Sequence, residues 1–431
     1  MLDRTRLRAR VADRNDRDRV WHEEDLCHTA ALLDRQGIDG ERVVGELAGF
    51  SMAAPSWALG TGGTRFGRFR GGGEPRTLEE KIEDVALLDT LTGANRTISL
   101  HVPWDYPREP ASVRGFADSL GVGFDCMNSN TFQDNPQTTA NGAVSFKFGS
   151  LCHTDPAVRR AAIDHNRDVI DLGIQLGSKA LVVWLADGIN HPGQASFRGQ
   201  FERTLDGLRQ IYACMPPDWR LFTEHKPYEP AFYASVNNDW GTSLLLAQGT
   251  GDRAGCIVDL GHHLPNTNIE QVVSRLAMTG RLGGFHLNDS KYGDDDLTVG
   301  SIHPYQLFLI FLELLEHGDG RLPAVAYMID ASHNLKDPLE DLLQSTEAAQ
   351  VALAQALIVD QAALAHARDE NDPALAETVL QRAFRTDVRP LVAEGRRRNG
   401  AALKPLDAYR TLGCRARMVA ERGAGVLATG L

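Results

Sequence analysis

Eight short β-rich runs, most followed by a helical pattern, predict an α/β chain centred on a closed (β/α)8 TIM barrel. Near-continuous apolar runs such as ALVVWL at 180–185 fit that fold, because parallel strands covered on both faces lose the polar alternation of a half-exposed sheet. The residues just past the runs fit it too. They are His101 and Trp104, Asn128, Trp184 and Asp187, Glu224 and Lys226, Asp259 and His262, His286 and Asp289, and Asp330. Ionisable groups thus gather at C-terminal strand ends, where barrel enzymes place their chemistry. An open doubly wound sheet is the competing fold. It wants a glycine fingerprint after its first strand, and GTGGTRFGRFRGGG at 60–73 does not open a helix at G-x-G-x-x-G spacing.

In chain order, residues 1–43 form a charged N-terminal helical segment, residues 44–336 the barrel and residues 337–431 a C-terminal helical extension. The strands are expected at Val44 to Met52, Thr97 to Val102, Gly123 to Met127 and Ala180 to Leu185, then at Arg220 to Glu224, Cys256 to Asp259, Gly284 to Leu287 and Ala324 to Asp330. Helical patterns between them include Leu78 to Leu91, Pro156 to Leu176, Phe197 to Tyr212, Asn268 to Met278 and Pro304 to His317. Thr77, Asp155 and Asn268 stand where N-caps belong, their side-chain oxygens free to accept the first unpaired helical N–H groups. The extension is Ala- and Leu-rich, has no strand candidate and carries a basic patch, EGRRRNG. A barrel does not need it, so it packs either on its own barrel or on a neighbouring subunit.

Composition narrows the function. At 42% apolar and 24% charged, the 431 residues can bury a sizeable core, which excludes disorder or a coiled coil as a description of the whole. The formal charge of -12 disfavours nucleic acid or an anionic membrane as partner, since both select a basic face. Six scattered cysteines without a C-x-x-C pair read as reduced thiols. The N-terminus has no apolar core of a secretory signal. The most apolar stretch, Tyr305 to Leu315, is interrupted by Gln306 and Glu313 and is far shorter than the ~20 residues of a membrane span. A cytoplasmic protein is expected.

The strongest chemical signal is a set of oxygen and nitrogen ligands. Glu224 lies in FTEHKP, Asp259 and His262 in IVDLGHH, His286 in GGFHLNDS, Asp294 and Asp296 in KYGDDDLT, and Asp330 in YMIDASHN. Carboxylates with one or two imidazoles suit Mn²⁺, Mg²⁺ or Co²⁺ better than structural zinc, which prefers thiolates. Singly, each has a plainer reading: Asp259 or Asp330 as a cap or salt-bridge partner, the Asp294 to Asp296 run as a solvated loop. His262 and His263 are adjacent and point apart, so one of them is expected to be structural. Together, so many acidic groups at one barrel mouth would repel unless a cation offset them.

At these residues the chain resembles the L-rhamnose isomerases of the Pseudomonas type, within the xylose-isomerase-like barrel superfamily. The resemblance runs over essentially the whole chain, from SMAAPSWALGTGGTRFGRF through HVPWD, VVWLADG, TEHKPYEP, VDLGHH and FHLNDSKYGDDD to MIDASHN. It implies a homotetramer with two divalent metal ions per subunit, Mn²⁺ first among them, that interconverts an aldose with its 2-ketose, L-rhamnose with L-rhamnulose. It implies one metal on Glu224, Asp259, His286 and Asp330, and a second on His262, Asp294 and Asp296 with Asp259 shared. Lys226 would reach the substrate O1, His101 the ring oxygen, and Asp330 would join them in catalysis. Trp104, Trp184 and Phe66 would form an apolar wall around the substrate, with Phe66 completing a neighbour's pocket. As lone aromatics these three would ordinarily be core.

The nearest rival is a metal-dependent ketose 3-epimerase, but such barrels pair two glutamates and only Glu224 stands in this set. A barrel phosphodiesterase acting on DNA conflicts with the charge of -12 and the histidine-poor ligand set. A sugar-binding barrel without activity would not need a complete ligand set.

Overall fold

The computed structural model describes residues 3–59, 71–132, 134, 144–229, 232–332 and 335–424. Eight parallel strands close a barrel in sequential order: β1 (Ala53–Pro55), β2 (Thr97–Val102), β3 (Gly123–Ser129), β4 (Ala180–Trp184), β5 (Arg220–Glu224), β6 (Ala254–Asp259), β7 (Leu282–Leu287) and β8 (Ala326–Ile329). β1 pairs with both β2 and β8, which leaves no free edge. The expected (β/α)8 architecture is therefore the observed one.

One strand was misplaced. From Val44 to Gly49 the chain is helical instead: a helix runs Gly40–Gly49, and β1 follows it as only three residues. Asp39 caps that helix by accepting the Arg42 N–H at 3.1 Å, and Val43, Val44 and Leu47 share its buried face. The apolar run that suggested a strand is thus a helical stripe. Thr97–Val102 and Arg220–Glu224 stand as expected, and the other five strands differ by one or two residues at one end or both. The caps stand as expected, with Thr77, Asp155 and Asn268 accepting backbone N–H groups of their helices.

Side-chain alternation along the strands builds the barrel interior and then the site. Cys126, Val182, Phe222 and Ile257, on β3 to β6, form their own small apolar cluster. The interior is tight here, since a Cβ on Gly283 would run into the Phe222 ring. Two residues further along the same strands, with the same facing, come Asn128, Trp184, Glu224 and Asp259. An apolar plug therefore ends in a polar floor at the C-terminal mouth.

Helix Pro338–Leu357 closes the helical ring, packing between Pro304–His317 and Leu78–Thr92, and outside that ring helix α1 (Arg4–Arg35) and the helices from Gln361–Asp369 to Cys414–Arg422 pack on the barrel's own helical layer. Asn399 donates to Ala48 O at 2.8 Å, Arg415 pairs with Asp337, and Arg422 pairs with Asp84 at 2.8 Å. Within the chain, the extension thus makes contacts with its own barrel. All six cysteines are free thiols. No single helix among the described residues is long and apolar enough to cross a membrane.

Candidate metal centre

Four strand ends bring Glu224, Asp259, His286 and Asp330 together so closely that one potential ligand atom from each lies within 4.8 Å of all the others. Strand register accounts for much of this, because Asp259 sits beside His286 across the β6–β7 ladder. His286 Nδ1 is 3.0 Å from Glu224 Oε1, 3.5 Å from Asp330 Oδ2 and 3.8 Å from Asp259 Oδ2.

Asp259 is divided between two tasks. Its Oδ1 accepts the Gly261 N–H at 2.8 Å and the Asn288 amide at 2.9 Å. Its buried Oδ2 has no hydrogen-bond partner among the described residues. A buried carboxylate oxygen left unpaired costs several kcal/mol of lost solvation, by order of magnitude, unless a cation meets it. Gly261 makes the hold on Oδ1 close, since a Cβ there would stand 3.2 Å from Asn288 Oδ1.

The turn after β6 swings His262 back over the same site. Its Nδ1 lies 3.3 Å from Glu224 Oε1 and its Nε2 lies 3.1 Å from Asp294 Oδ1. His263 leaves the site and packs edge-on against His225 with ring centres 4.7 Å apart. Burial, then the charge of His262, pushes His263 down to about 3, so it stays neutral. His263 is the structural member of the pair.

Asp294 and Asp296 are aimed by their backbone. Both adopt left-handed φ, +53° and +51°, which for a residue with a Cβ costs roughly 1 kcal/mol each. Asp295 between them supports that loop, accepting the N–H groups of Lys291 at 2.7 Å and Tyr292 at 3.0 Å. An antiparallel bridge between Asp289 and Leu297 closes its base. The middle aspartate of the run is thus structural, while its two neighbours face the site.

The electrostatics show what the ligand set lacks. Burial, followed by neighbouring carboxylates, pushes Asp330 up to about 7 and Asp296 well above the ordinary carboxylate range. Asp259 is raised by burial as well. Burial disfavours charge on His286 and His262, yet Glu224, Asp259 and their acidic neighbours hold both imidazolium forms, His286 up to about 9. So many buried carboxylates beside two imidazoles suit a divalent cation, whose binding would displace protons from them. The donors and the unpaired Asp259 oxygen fit a metal.

Beside this cluster runs an aromatic arc. Trp57, Trp104 and Phe132 surround His101 at ring distances of 5.6, 5.1 and 5.7 Å. Phe132 meets Trp184 at 4.4 Å, and Trp184 stacks towards His262 at 6.4 Å. Lys226 lies 5.3 Å from the Trp184 ring centre, pairing with Glu229 and, at 2.5 Å, with Asp294. Burial pushes His101 down to about 4, so its imidazole is neutral at ordinary pH. Phe66 lies outside the described residues.

Sequence reasoning passed over Trp57, Phe132, Glu229, Asn288 and Asp105. Asp105 accepts the His101 backbone N–H at 2.9 Å, the Ser56 hydroxyl, and the Lys81 ammonium at 2.6 Å, and so fixes the turn that presents His101 and Trp104. Burial would raise Asp105, but Lys81 and these hydrogen bonds hold it below the usual carboxylate range. Replacing Asp105 by Asn leaves a buried ammonium without its counter-charge, for an expected destabilisation of about 3 kcal/mol. Calorimetric unfolding checks this; an unchanged melting temperature with normal activity would remove Asp105 from the site's support. Three strand-end residues point elsewhere. Asp187 accepts the Ser150 and Cys152 N–H groups, Asp289 those of Ile302 and His303, and Asn128 donates to Ser99.

Comparison with known proteins agrees with this geometry. Residues 95–332 match the xylose isomerase-like TIM barrel family. The chain is 50% identical over 428 residues to a probable sugar isomerase of Mesorhizobium japonicum, covering 98% of both chains. It is 52% identical over 396 residues to a probable sugar isomerase of Rhizobium meliloti, covering 91% of both. Among solved structures, an L-ribulose 3-epimerase superposes with a TM-score of 0.53 at 14% identity, covering 71% of this chain and 95% of its own, a likeness of fold.

Proposed function

The chain belongs to the xylose isomerase-like TIM barrel family, and on that premise we propose that it is a divalent-metal-dependent aldose–ketose isomerase acting on L-rhamnose and related aldoses. The observation that carries this is the convergence of Glu224, Asp259, His286 and Asp330 at the barrel mouth beside an aromatic arc. The two relatives named probable sugar isomerases support the same reading over nearly the full chain.

In this reading Glu224, Asp259, His286 and Asp330 hold one ion, and His262, Asp294 and Asp296 hold a second with Asp259 shared. Mn²⁺ is the favoured ion, with Mg²⁺ and Co²⁺ as alternatives. When bound, the ions polarise sugar oxygens and stabilise charge developing on them. The protein's own groups do the rest. Neutral His101 offers a hydrogen bond to the ring oxygen as the sugar opens. Lys226, fixed by Glu229 and Asp294, presents an ammonium to O1. Trp104 and Trp184 exclude water from the reacting carbons, joined by Trp57 and Phe132. The working form is a homotetramer in which Phe66 closes a neighbour's pocket.

The test is a panel of aldoses, L-rhamnose included, assayed after chelator treatment with and without added Mn²⁺. Ketose should form only with metal, and from L-rhamnose at the highest kcat/KM. Exchange of one ketose for its C3 epimer, with no aldose formed, would instead select the 3-epimerase reading.

A further inference from the structure

We propose that Trp57 is a positioning residue that restricts Asp330 to a single ligand oxygen and so preserves room at the metal centre for the sugar's own oxygens. The inference rests on the metal-dependent reading above. Trp57 lies on the one-turn helix Ser56–Leu59 that leaves β1, a strand that itself carries no metal ligand. Its indole N–H donates to Asp330 Oδ1 at 2.8 Å. The other oxygen, Oδ2, faces the cluster 3.5 Å from His286 Nδ1.

The two oxygens of Asp330 thus have separate roles, Oδ1 held by the indole and Oδ2 facing the cluster. A carboxylate binds a hard divalent ion through one oxygen or through both. Binding through both would require Asp330 to turn and give up the indole, a charge-assisted hydrogen bond. The position a second oxygen would take is then left open, as catalytic metal sites require. The helix is not free to follow such a turn. Its Ser56 is tied to Asp105, and the indole ring itself lies edge-on to His101, 5.6 Å between centres. One residue therefore touches both the proposed metal ligand and the proposed sugar-binding histidine.

Trp57→Phe removes the N–H and keeps an aromatic ring. Mn²⁺ affinity, measured by calorimetry without sugar, should be unchanged or tighter than wild type, while the KM for aldose rises ten- to a hundredfold. Mn²⁺ affinity falling in parallel with activity would make Trp57 mere support for the ligand and overturn the proposal, as would an unchanged KM. Should the variant not fold, indole ¹⁵N spectra of the wild-type protein decide. A Trp57 N–H that keeps its hydrogen-bonded shift and slow exchange on Mg²⁺ loading supports the proposal, and loss of that protection overturns it. Wild-type protein that binds no Mn²⁺ and isomerises no sugar defeats the underlying reading before the variant is made.

Discussion

Asp259→Asn is expected to abolish activity and most metal retention together, with kcat/KM falling on the order of a thousandfold or more, equivalent to about 4 kcal/mol of lost transition-state stabilisation. Asn matches Asp in volume, and one of its polar atoms can still meet the Gly261 and Asn288 N–H groups that now hold Oδ1. What it cannot supply is the negative charge at Oδ2, the buried oxygen with no hydrogen-bond partner that lies 3.8 Å from both His262 Nδ1 and His286 Nδ1. Both proposed ligand sets include that oxygen's carboxylate, so both ions should be weakened. His262→Ala gives the contrast: it removes a ligand of the second set alone and should leave one ion bound. Metal analysis after desalting reads both variants. Two tightly held ions and normal turnover in Asp259→Asn would refute the assignment.

The convergence of Glu224, Asp259, His286 and Asp330 was legible because these four are fixed to strand ends by the shortest covalent route. Glu224 and Asp259 end strands, His286 lies one residue from an end, and Asp330 follows one directly, so locating the strands located the side chains. The bounds of Thr97–Val102, Arg220–Glu224, Pro156–Leu176 and Pro304–His317 were readable for a related reason, since caps, prolines and breaks in periodicity mark them locally. β1 was not. Three residues, Ala-Ala-Pro, are too few to display a period of two, and the β-branched pair beside them belongs to a helix. Trp57, Phe132 and Glu229 were missed for a different reason. Trp57 and Phe132 act by contact with a residue from another strand, on Asp330 and His101, and no spacing along the chain encodes such a meeting; Glu229 stands only three residues after Lys226, on a turn whose shape the spacing alone does not give. Asp294 and Asp296 already stood apart from Asp295 at the level of the sequence; what it did not show is the left-handed backbone at both and the hold of Asp295 on the Lys291 N–H.

Aldose carrying deuterium at C2 is expected to give ketose retaining that deuterium at C1, at near-complete retention even after many turnovers. The structure supports this through what surrounds the proposed substrate position. A base that removed the C2 proton would have to be a free carboxylate or imidazole beside the carbon. Glu224, Asp259 and Asp330 converge as proposed ligands, Asp294 and Glu229 are tied to Lys226, and Asp105 is tied to Lys81. His101 is neutral, but its ring is enclosed by Trp57, Trp104 and Phe132. An abstracted proton would therefore have little water to exchange with, and movement of hydride from C2 to C1 needs no base at carbon, only passage of the O2 hydroxyl proton to O1. That path develops charge on O1 and O2, which the Lys226 ammonium and metal ions held by the proposed ligands would oppose. Mass spectrometry of the ketose in H₂O, and of unlabelled aldose turned over in D₂O, reads the result from both directions. Wash-out in the first and uptake in the second would establish proton transfer through an ene-diol, and would send the search for its base to Asp330 and Asp296, the two carboxylates that burial and their neighbours' charges raise.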